Sequence, residues 1–159
     1  MRVKIRFAWA ALFTLLPLVW LLVAAQEQPV IERAIATHWT LAGVPDGYDN
    51  QNGLLWAALI PLIACALIAG SLVIALDQSV GRWAAASGFA TLALVSAGAA
   101  LLWDAALTTA SQPELGDRLG TPFLHVFWAI PWALIPLWIA AARTPVMPQI
   151  RESPSDPED

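Results

Sequence analysis

The sequence predicts an all-α membrane protein: a four-helix transmembrane bundle with an ordered outer loop between its first two helices. The 159 residues are 58% hydrophobic and only 13% charged, whereas a soluble domain carries about 25% charged residues. Four apolar runs each come close to the ~20 residues that cross a bilayer core as a helix. Their residues do not alternate between polar and apolar, as the strands of a membrane barrel would.

The four predicted spans, in chain order, cover residues 7–25, 54–76, 83–103 and 122–142. His125 is the only histidine within them, and they contain no Asp, Glu, Lys or Arg. Together they predict one transmembrane domain over residues 1–143. The remainder, 144–159, is rich in proline, serine and acidic residues, which predicts a disordered cytoplasmic tail.

The basic residues predict the orientation of the bundle. With the N-terminus in the cytoplasm, the inner segments hold Arg2, Lys4, Arg6, Arg82, Arg143 and Arg151, and the outer loops hold only Arg33 and Arg118. This positive-inside bias predicts a multi-pass protein of the plasma membrane with both termini cytoplasmic. Tryptophans fall near the predicted interfaces, with Trp9, Trp83 and Trp138 at the inner one and Trp20, Trp56, Trp103 and Trp128 at the outer one.

The first span has an alternative interpretation as a signal peptide. Basic residues, an apolar stretch and then Val23, Ala24 and Ala25 resemble a leader with its cleavage site. Signal peptides, however, have apolar regions of about 7–15 residues, and this one is longer and holds two tryptophans. A retained helix is therefore favoured; cleavage would leave three helices and an outer N-terminus.

Small residues predict which helices touch. Ala66 and Gly70 are four residues apart in the second helix, as are Ala84 and Gly88 in the third. Small residues at this spacing let helix backbones approach in lipid, so we expect helices two and three to pack together. Prolines interrupt the helices at Pro17, Pro61, Pro131 and Pro136. Each removes a backbone donor, and neighbouring helices must then satisfy the freed carbonyl.

The outer segment between the first two helices carries the most distinctive pattern, over residues 35–52. Residues 35–41 are β-branched and aromatic enough to suit a short strand. Gly43 and the sequence Pro45-Asp46-Gly47 are typical of turns. We therefore expect an ordered loop with Trp39 and Tyr48 at the level of the lipid headgroups.

This loop resembles a known family, domain of unknown function 1648. The resemblance is carried by His38, Trp39, Gly43, Pro45, Asp46, Gly47 and Pro61. Members are bacterial membrane proteins in which this loop joins the first two helices, and the likeness covers roughly residues 15 to 65. This chain departs from the family at Gln28-Pro29 and Ile35-Ala36, where a Leu-Pro…Ile-Pro pattern is usual. It also lacks the lysine that often follows the turn.

The resemblance implies an immunity-like or sensory role, because the family includes a protein that protects a spore-former from its own secreted peptide toxin. From the residues we expect a non-enzymatic protein without a cofactor. Its expected partners are membrane lipid and a peptide or protein at the outer face. Nucleic acid is not expected, because the chain has no sizeable basic patch.

Two other functions stay open from the residues. A small transporter or transporter subunit would need a polar path, which only Ser71, Ser87, Thr91 and Ser96 could line. A metal-dependent enzyme at the outer face would need His38, His125 and a carboxylate such as Asp46 within ligand reach. The same histidines could sense pH. No HExxH pattern, paired cysteines or Gly-x-Ser-x-Gly motif supports catalysis, and Cys65 stands alone.

Overall fold

A computed structural model of the chain describes residues 2–40, 42–76, 81–112 and 124–142. Its elements are helix α1 (Arg2–Glu27), strands β1 (Ile35–Trp39) and β2 (Pro45–Asp49), helices α2 (Gln51–Ala75) and α3 (Arg82–Ser111), a 3-10 turn (His125–Trp128) and helix α4 (Ala129–Ala141). The predicted tail, Arg118, Arg143 and residues 122–123 of the fourth span lie outside the described residues.

The described residues are mostly helical, which confirms an α-helical bundle, and a two-stranded sheet is added to it. Three helices, α1 from Lys4, α2 and α3, are long and apolar enough to cross a membrane. A fourth apolar segment, His125–Ala141, is shorter.

The helices run alternately up and down. One buried cluster joins the start of α1 at Phe7, the end of α2 at Ala69, the start of α3 at Phe89 and the end of α4 at Ala140. A second cluster joins the other ends of α1, α2 and α3 to strand β1. The first end of the bundle thus holds the start of α1 and the end of α4. The second end holds the hairpin of β1 and β2, and is called the hairpin end below.

Helix α3 lies at the centre of the bundle. It packs against α1, α2 and α4, while α2 and α4 lie on opposite sides of the α1–α3 pair. Small residues dominate the buried stripe of α3: Ala85, Ala86, Ala93, Ser96, Ala97 and Ala100. Large apolar side chains such as Leu67, Ile74 and Trp138 face outward instead. This distribution suits helices in lipid, where close backbone packing replaces the hydrophobic effect.

Helices α2 and α3 do pack together, but not through all four predicted residues. Gly88 faces Leu72 of α2, since a Cβ at Gly88 would lie 3.9 Å from the Leu72 side chain. Ala66 is half-buried. Gly70 and Ala84 are exposed, and a Cβ at Gly70 would have no neighbour within 4 Å. The prediction is wrong for these two residues because a spacing of four does not say which side of a helix faces its partner.

Helix α3 is longer than its predicted span, which ended at residue 103. It has 30 residues, or about 45 Å, against a hydrocarbon core of ~30 Å. The additional turns are covered by protein: Ala106, Leu107 and Ala110 belong to the cluster that includes Ile35 of the hairpin. Asp104 therefore lies within the helix rather than at its end.

The fourth apolar segment is assembled from two kinds of helix. The 3-10 turn has 4 residues and α4 has 13. Pro131 lies in the first turn of α4, where a missing N–H costs no intrahelical hydrogen bond. The segment is thus shorter as an α-helix than the predicted span of 122–142.

Neighbouring helices supply donors to α1 around its proline. Pro17 has no N–H, so the carbonyl of Phe13, four residues earlier, loses its helical donor. The Trp132 indole Nε1 of α4 donates to that carbonyl at 3.2 Å. One residue further, the buried Ser96 hydroxyl of α3 donates to the Thr14 carbonyl at 3.1 Å. The prediction that neighbours satisfy a proline-freed carbonyl is confirmed at Pro17.

The tryptophans fall at the two ends of the bundle, as predicted, with one exception. Six of those named from the sequence are exposed: Trp9, Trp20, Trp56, Trp83, Trp128 and Trp138. Trp103 is only 1% exposed, so the prediction that it belongs to an interfacial belt is wrong. It is buried because α3 continues past it and the hairpin covers this part of the bundle.

Replacing Trp132 with Phe should destabilise the bundle through the Phe13 carbonyl. The ring contact with Phe13, now at 6.1 Å between centroids, would persist while the donor is lost. We expect the free energy of unfolding in mixed micelles to fall by about 1 kcal/mol. In a Pro17→Ala background the loss should shrink, since alanine brings a backbone N–H of its own to this position. Trp138→Phe, at an exposed site, is the control. Equal losses in both backgrounds would contradict this assignment.

Candidate functional site

The hairpin between α1 and α2 is the ordered loop that the sequence predicts. Gly43 has a φ of 74°, and its N–H donates to the Thr40 carbonyl at 2.9 Å. The Thr40 N–H donates to Val44 across the turn, also at 2.9 Å. Glycine adopts a positive φ without the penalty of a Cβ, which explains its place at the tip.

The second strand corrects one expectation. Pro45-Asp46-Gly47 suggested a turn, but these residues begin β2, which pairs antiparallel with β1. Proline is tolerated as the first residue of a strand because it needs no ladder donor there. Gly47 lies opposite His38, and a Cβ on it would come within 2.9 Å of the His38 Cβ. The glycine thus permits a close approach of the strands, and the turn lies at Gly43 instead.

His38 and Asp46 form a pair across this hairpin. The His38 Nδ1 hydrogen-bonds the Asp46 Oδ1, and the two side chains are 73% and 43% exposed. Both residues belong to the loop motif, and the pair stands at the exposed surface of the hairpin. It fixes the orientation of the imidazole and leaves Nε2 for another partner.

The predicted metal triad does not come together. Among the described residues, no group of three or more His, Cys, Asp or Glu side chains could hold a metal ion. His38 pairs with Asp46, while His125 at the 3-10 turn interacts electrostatically with Asp104 of α3. The two residues are 21 positions apart, and no local sequence pattern connects them.

The residues proposed for a transport path also fall elsewhere. Ser71, Ser87 and Thr91 are exposed, and each donates its hydroxyl to a carbonyl of its own helix. Ser96 is buried and bonds α1. None of the four lines either groove described below. The arrangement therefore gives the transport hypothesis no support.

Arg33 fixes the segment before the hairpin onto the end of α3. Its Nε donates to the Ala110 carbonyl at 3.0 Å, and Nη2 donates to Ala110 and, at 3.5 Å, to Thr109. The Thr109 carbonyl also accepts from the Gln112 N–H at 3.3 Å. The Ala110 carbonyl lies in the last turn, where helix carbonyls lose their intrahelical donors and carry partial negative charge, so a guanidinium satisfies both needs there. Sequence reasoning assigned Arg33 only to the outer loop, because its partner lies 77 residues away.

The other end of the hairpin leads directly into α2. The Asn50 side chain accepts a hydrogen bond from the Gly53 N–H at 2.8 Å and so caps the helix. The Gln51 side chain accepts from the Ile31 N–H at 2.9 Å and donates to the Pro29 carbonyl at 3.3 Å. Both ends of the outer segment are thus attached to the bundle, which holds the hairpin in one position.

A groove of about 680 Å³, called the outer groove below, runs under the hairpin between α2 and α3. It lies at the hairpin end. Its top is lined by three residues of the hairpin: Thr37, Trp39 and Asp49. One wall is formed by α2 through Leu54, Ala57, Ala58 and Pro61. The other wall is formed by α3 through Leu94, Val95, Gly98, Ala99, Leu102, Trp103 and Ala106. This volume is in the range of ligand sites.

Two polar groups at the outer groove lack their usual hydrogen-bond partners: one is an indole N–H and the other is a backbone carbonyl. Trp103 lines the groove, and its buried Nε1 has no hydrogen-bond partner among the described residues. Pro61 leaves the Ala57 carbonyl without its usual helical donor, and both residues line the groove. Sequence reasoning noted Pro61 but could not connect it with Trp103.

A second groove, of about 480 Å³, lies between α1, α3 and the fourth apolar segment. Its lining is entirely apolar and aromatic: Leu16, Pro17, Val19, Trp20, Ala97, Ala100, Leu101, Trp128 and Trp132. It offers no polar group to orient a ligand, so the outer groove and the hairpin are the stronger candidates for a functional site.

Comparison of the chain with protein-family models, with curated proteins and with solved structures finds no match.

Removing the Arg33 guanidinium should loosen the last turn of α3. With Arg33→Met, whose side chain keeps an apolar stem, we expect roughly 0.5–1.5 kcal/mol less protection from hydrogen exchange at residues 108–111. Arg82→Met is the control, since Arg82 lies over the Trp83 ring at 5.5 Å at the opposite end of α3. Unchanged protection at 108–111 would show that water satisfies these carbonyls equally well.

Proposed function

We propose that this chain is a non-enzymatic plasma-membrane protein with four spans, and that its hairpin binds a peptide or protein partner at the outer face. On this proposal both termini are cytoplasmic, and the role is immunity-like or sensory. The observation that carries it is the hairpin itself, which is attached to the bundle at both ends and presents an exposed His38–Asp46 pair.

The lengths of the helices support four spans. α2 has 25 residues, or about 38 Å, which is enough to cross a ~30 Å core. The 3-10 turn adds about 8 Å to the roughly 20 Å of α4, because a 3-10 helix rises 2.0 Å per residue. The fourth apolar segment therefore reaches about 28 Å. Outward-facing leucine and tryptophan on all four helices, with isoleucine on α1, α2 and α4, suit contact with lipid.

The distribution of charge supports the orientation. The end of the bundle that holds the start of α1 and the start of α3 carries Arg2, Lys4, Arg6 and Arg82. At the hairpin end, Arg33 is the only lysine or arginine among the described residues, and it is engaged with the end of α3. By the positive-inside rule, this distribution favours a hairpin outside the cell.

The hairpin favours a cationic partner. Between residues 27 and 50 the chain has four carboxylates, Glu27, Glu32, Asp46 and Asp49, against one guanidinium. Tyr48 and Val44 are exposed beside them, which offers aromatic and aliphatic contact. Acidic and apolar groups side by side suit a cationic amphipathic peptide. The likeness of the loop to domain of unknown function 1648 supports an immunity-like role for such binding.

The proposed orientation predicts the behaviour of reporter fusions. A reporter that is active only outside the cytoplasm should be inactive when fused after Asp77 and active when fused after Asp117. A cytoplasm-only reporter should show the reverse pattern. Cytoplasmic activity after Asp117 would overturn the four-span arrangement.

The proposed role predicts a change in peptide sensitivity. Deletion of the gene should sensitise cells to cationic membrane-active peptides, as measured by growth inhibition, and the wild-type protein should restore resistance. His38→Ala should fail to restore it, because the exposed pair with Asp46 is lost. Trp56→Phe is the control, since Trp56 is 61% exposed on α2 and lines neither groove.

Sensitivity that is unchanged by the deletion would count against the immunity-like role. Full restoration by His38→Ala would show that the hairpin pair is not the binding surface. Equal expression of each variant in the membrane fraction is checked by immunoblot.

A further inference from the structure

The outer groove is elongated, so it suits a chain-like ligand better than a compact one. On α3 its lining extends from Leu94 to Ala106, a separation of twelve positions, which corresponds to about 18 Å along the helix. Its walls below the hairpin are aliphatic, and Leu94, Val95 and Leu102 are exposed, so the groove opens toward the surroundings of the bundle. An occupant therefore enters from the side, where the proposed membrane would supply lipid.

Trp103, which lines the outer groove, carries an unsatisfied donor. Its side chain is 1% exposed and the Nε1 is buried without a partner among the described residues, although buried indole N–H groups usually find one. Leaving such a donor unsatisfied costs on the order of 1–3 kcal/mol. An acceptor that arrives with a ligand would remove this cost. Trp20, Trp56 and Trp128, which the sequence placed at the same interface, are exposed.

The distribution of polar groups distinguishes between the candidate occupants. An extended peptide would carry N–H and C=O groups along the whole groove, yet the helical walls at Leu94, Val95 and Ala99 offer them no partners. A lipid carries its polar atoms at one end only. The polar side chains that line the groove likewise lie at the hairpin end.

We infer that the outer groove binds one phospholipid of the outer leaflet that carries an amine headgroup, such as phosphatidylethanolamine. An ester carbonyl accepts the hydrogen bond of Trp103 Nε1, one acyl chain lies along Leu94 to Leu102, and the ammonium meets the Asp49 carboxylate at the groove mouth. The acidic hairpin disfavours an anionic headgroup. This inference rests on the proposed membrane embedding but concerns the underside of the hairpin, not the exposed surface proposed for the peptide.

Gly98 allows the groove to be filled without disturbing the fold, and Gly70 offers a matched control. Gly98 lines the outer groove, and a Cβ there would meet no atom within 4 Å. Gly70 on α2 is equally open but lines neither groove. Gly98→Leu thus places a side chain where the acyl chain would lie, and Gly70→Leu is its matched control. Both changes favour the helix, since leucine has the higher helix propensity.

The full-length protein is reconstituted in nanodiscs of phosphatidylethanolamine and phosphatidylglycerol at a 3:1 ratio, extracted into mild detergent and weighed by native mass spectrometry. We expect one phosphatidylethanolamine per wild-type chain, the same for Gly70→Leu, and at least a tenfold lower bound fraction for Gly98→Leu. A wild-type chain without lipid, or equal retention by Gly98→Leu and Gly70→Leu, overturns the inference.

Two further variants test the polar contacts. Trp103→Phe should weaken retention of both lipids, whereas Asp49→Asn should keep retention but abolish the preference for the amine headgroup. The assigned contacts are contradicted if Trp103→Phe retains as much lipid as the wild type. They are also contradicted if the wild type binds phosphatidylglycerol in proportion to its share of the mixture. Since this experiment reads lipid mass and the peptide test reads growth, either proposal can fail while the other stands.

Discussion

Every backbone carbonyl and N–H in an apolar environment must find its partner within the protein, and this constraint organises the bundle. Pro17 removes a donor from α1, and Trp132 of α4 replaces it with an indole N–H. Ser96 of α3 bonds α1 in the adjacent turn. The carbonyl that the proline frees thus becomes a contact between α1 and α4, and the neighbouring Ser96 bond joins α1 to α3.

The same constraint explains the hairpin end. The Ala110 carbonyl lies in the last turn of α3, beyond the helical hydrogen-bond ladder, and Arg33 donates to it from the segment before β1. The contact orders that segment as well as the helix, and Gln51 attaches it to the start of α2. Stability of the bundle and presentation of the hairpin are therefore linked through one side chain.

The candidate site has two faces with different chemistry. The exposed face carries the His38–Asp46 pair and an excess of carboxylates, which suits a cationic partner from solution. The underside, lined by Asp49, Trp39 and Trp103, belongs to the outer groove. Small residues at Gly98 and Ala99 keep the groove open, and large side chains at these positions would close it. The buried Trp103 donor distinguishes this groove from the fully apolar one beside α1.

The sequence by itself determined the four apolar helical segments, the shared end of the bundle where α1 begins and α4 finishes, and an ordered loop with Gly43 at a turn. These follow from composition and local backbone preference, because about twenty apolar residues or one glycine already restrict the chain. The tertiary structure alone decided that Pro45–Asp49 forms a strand, that α3 runs to Ser111, and that Trp103 is buried beside a groove. These depend on contacts between residues far apart in sequence: 77 positions for Arg33 and Ala110, and 119 for Phe13 and Trp132. Local patterns carry no information about which side of a helix meets such a partner, so Gly70 and Ala84 were misplaced for the same reason.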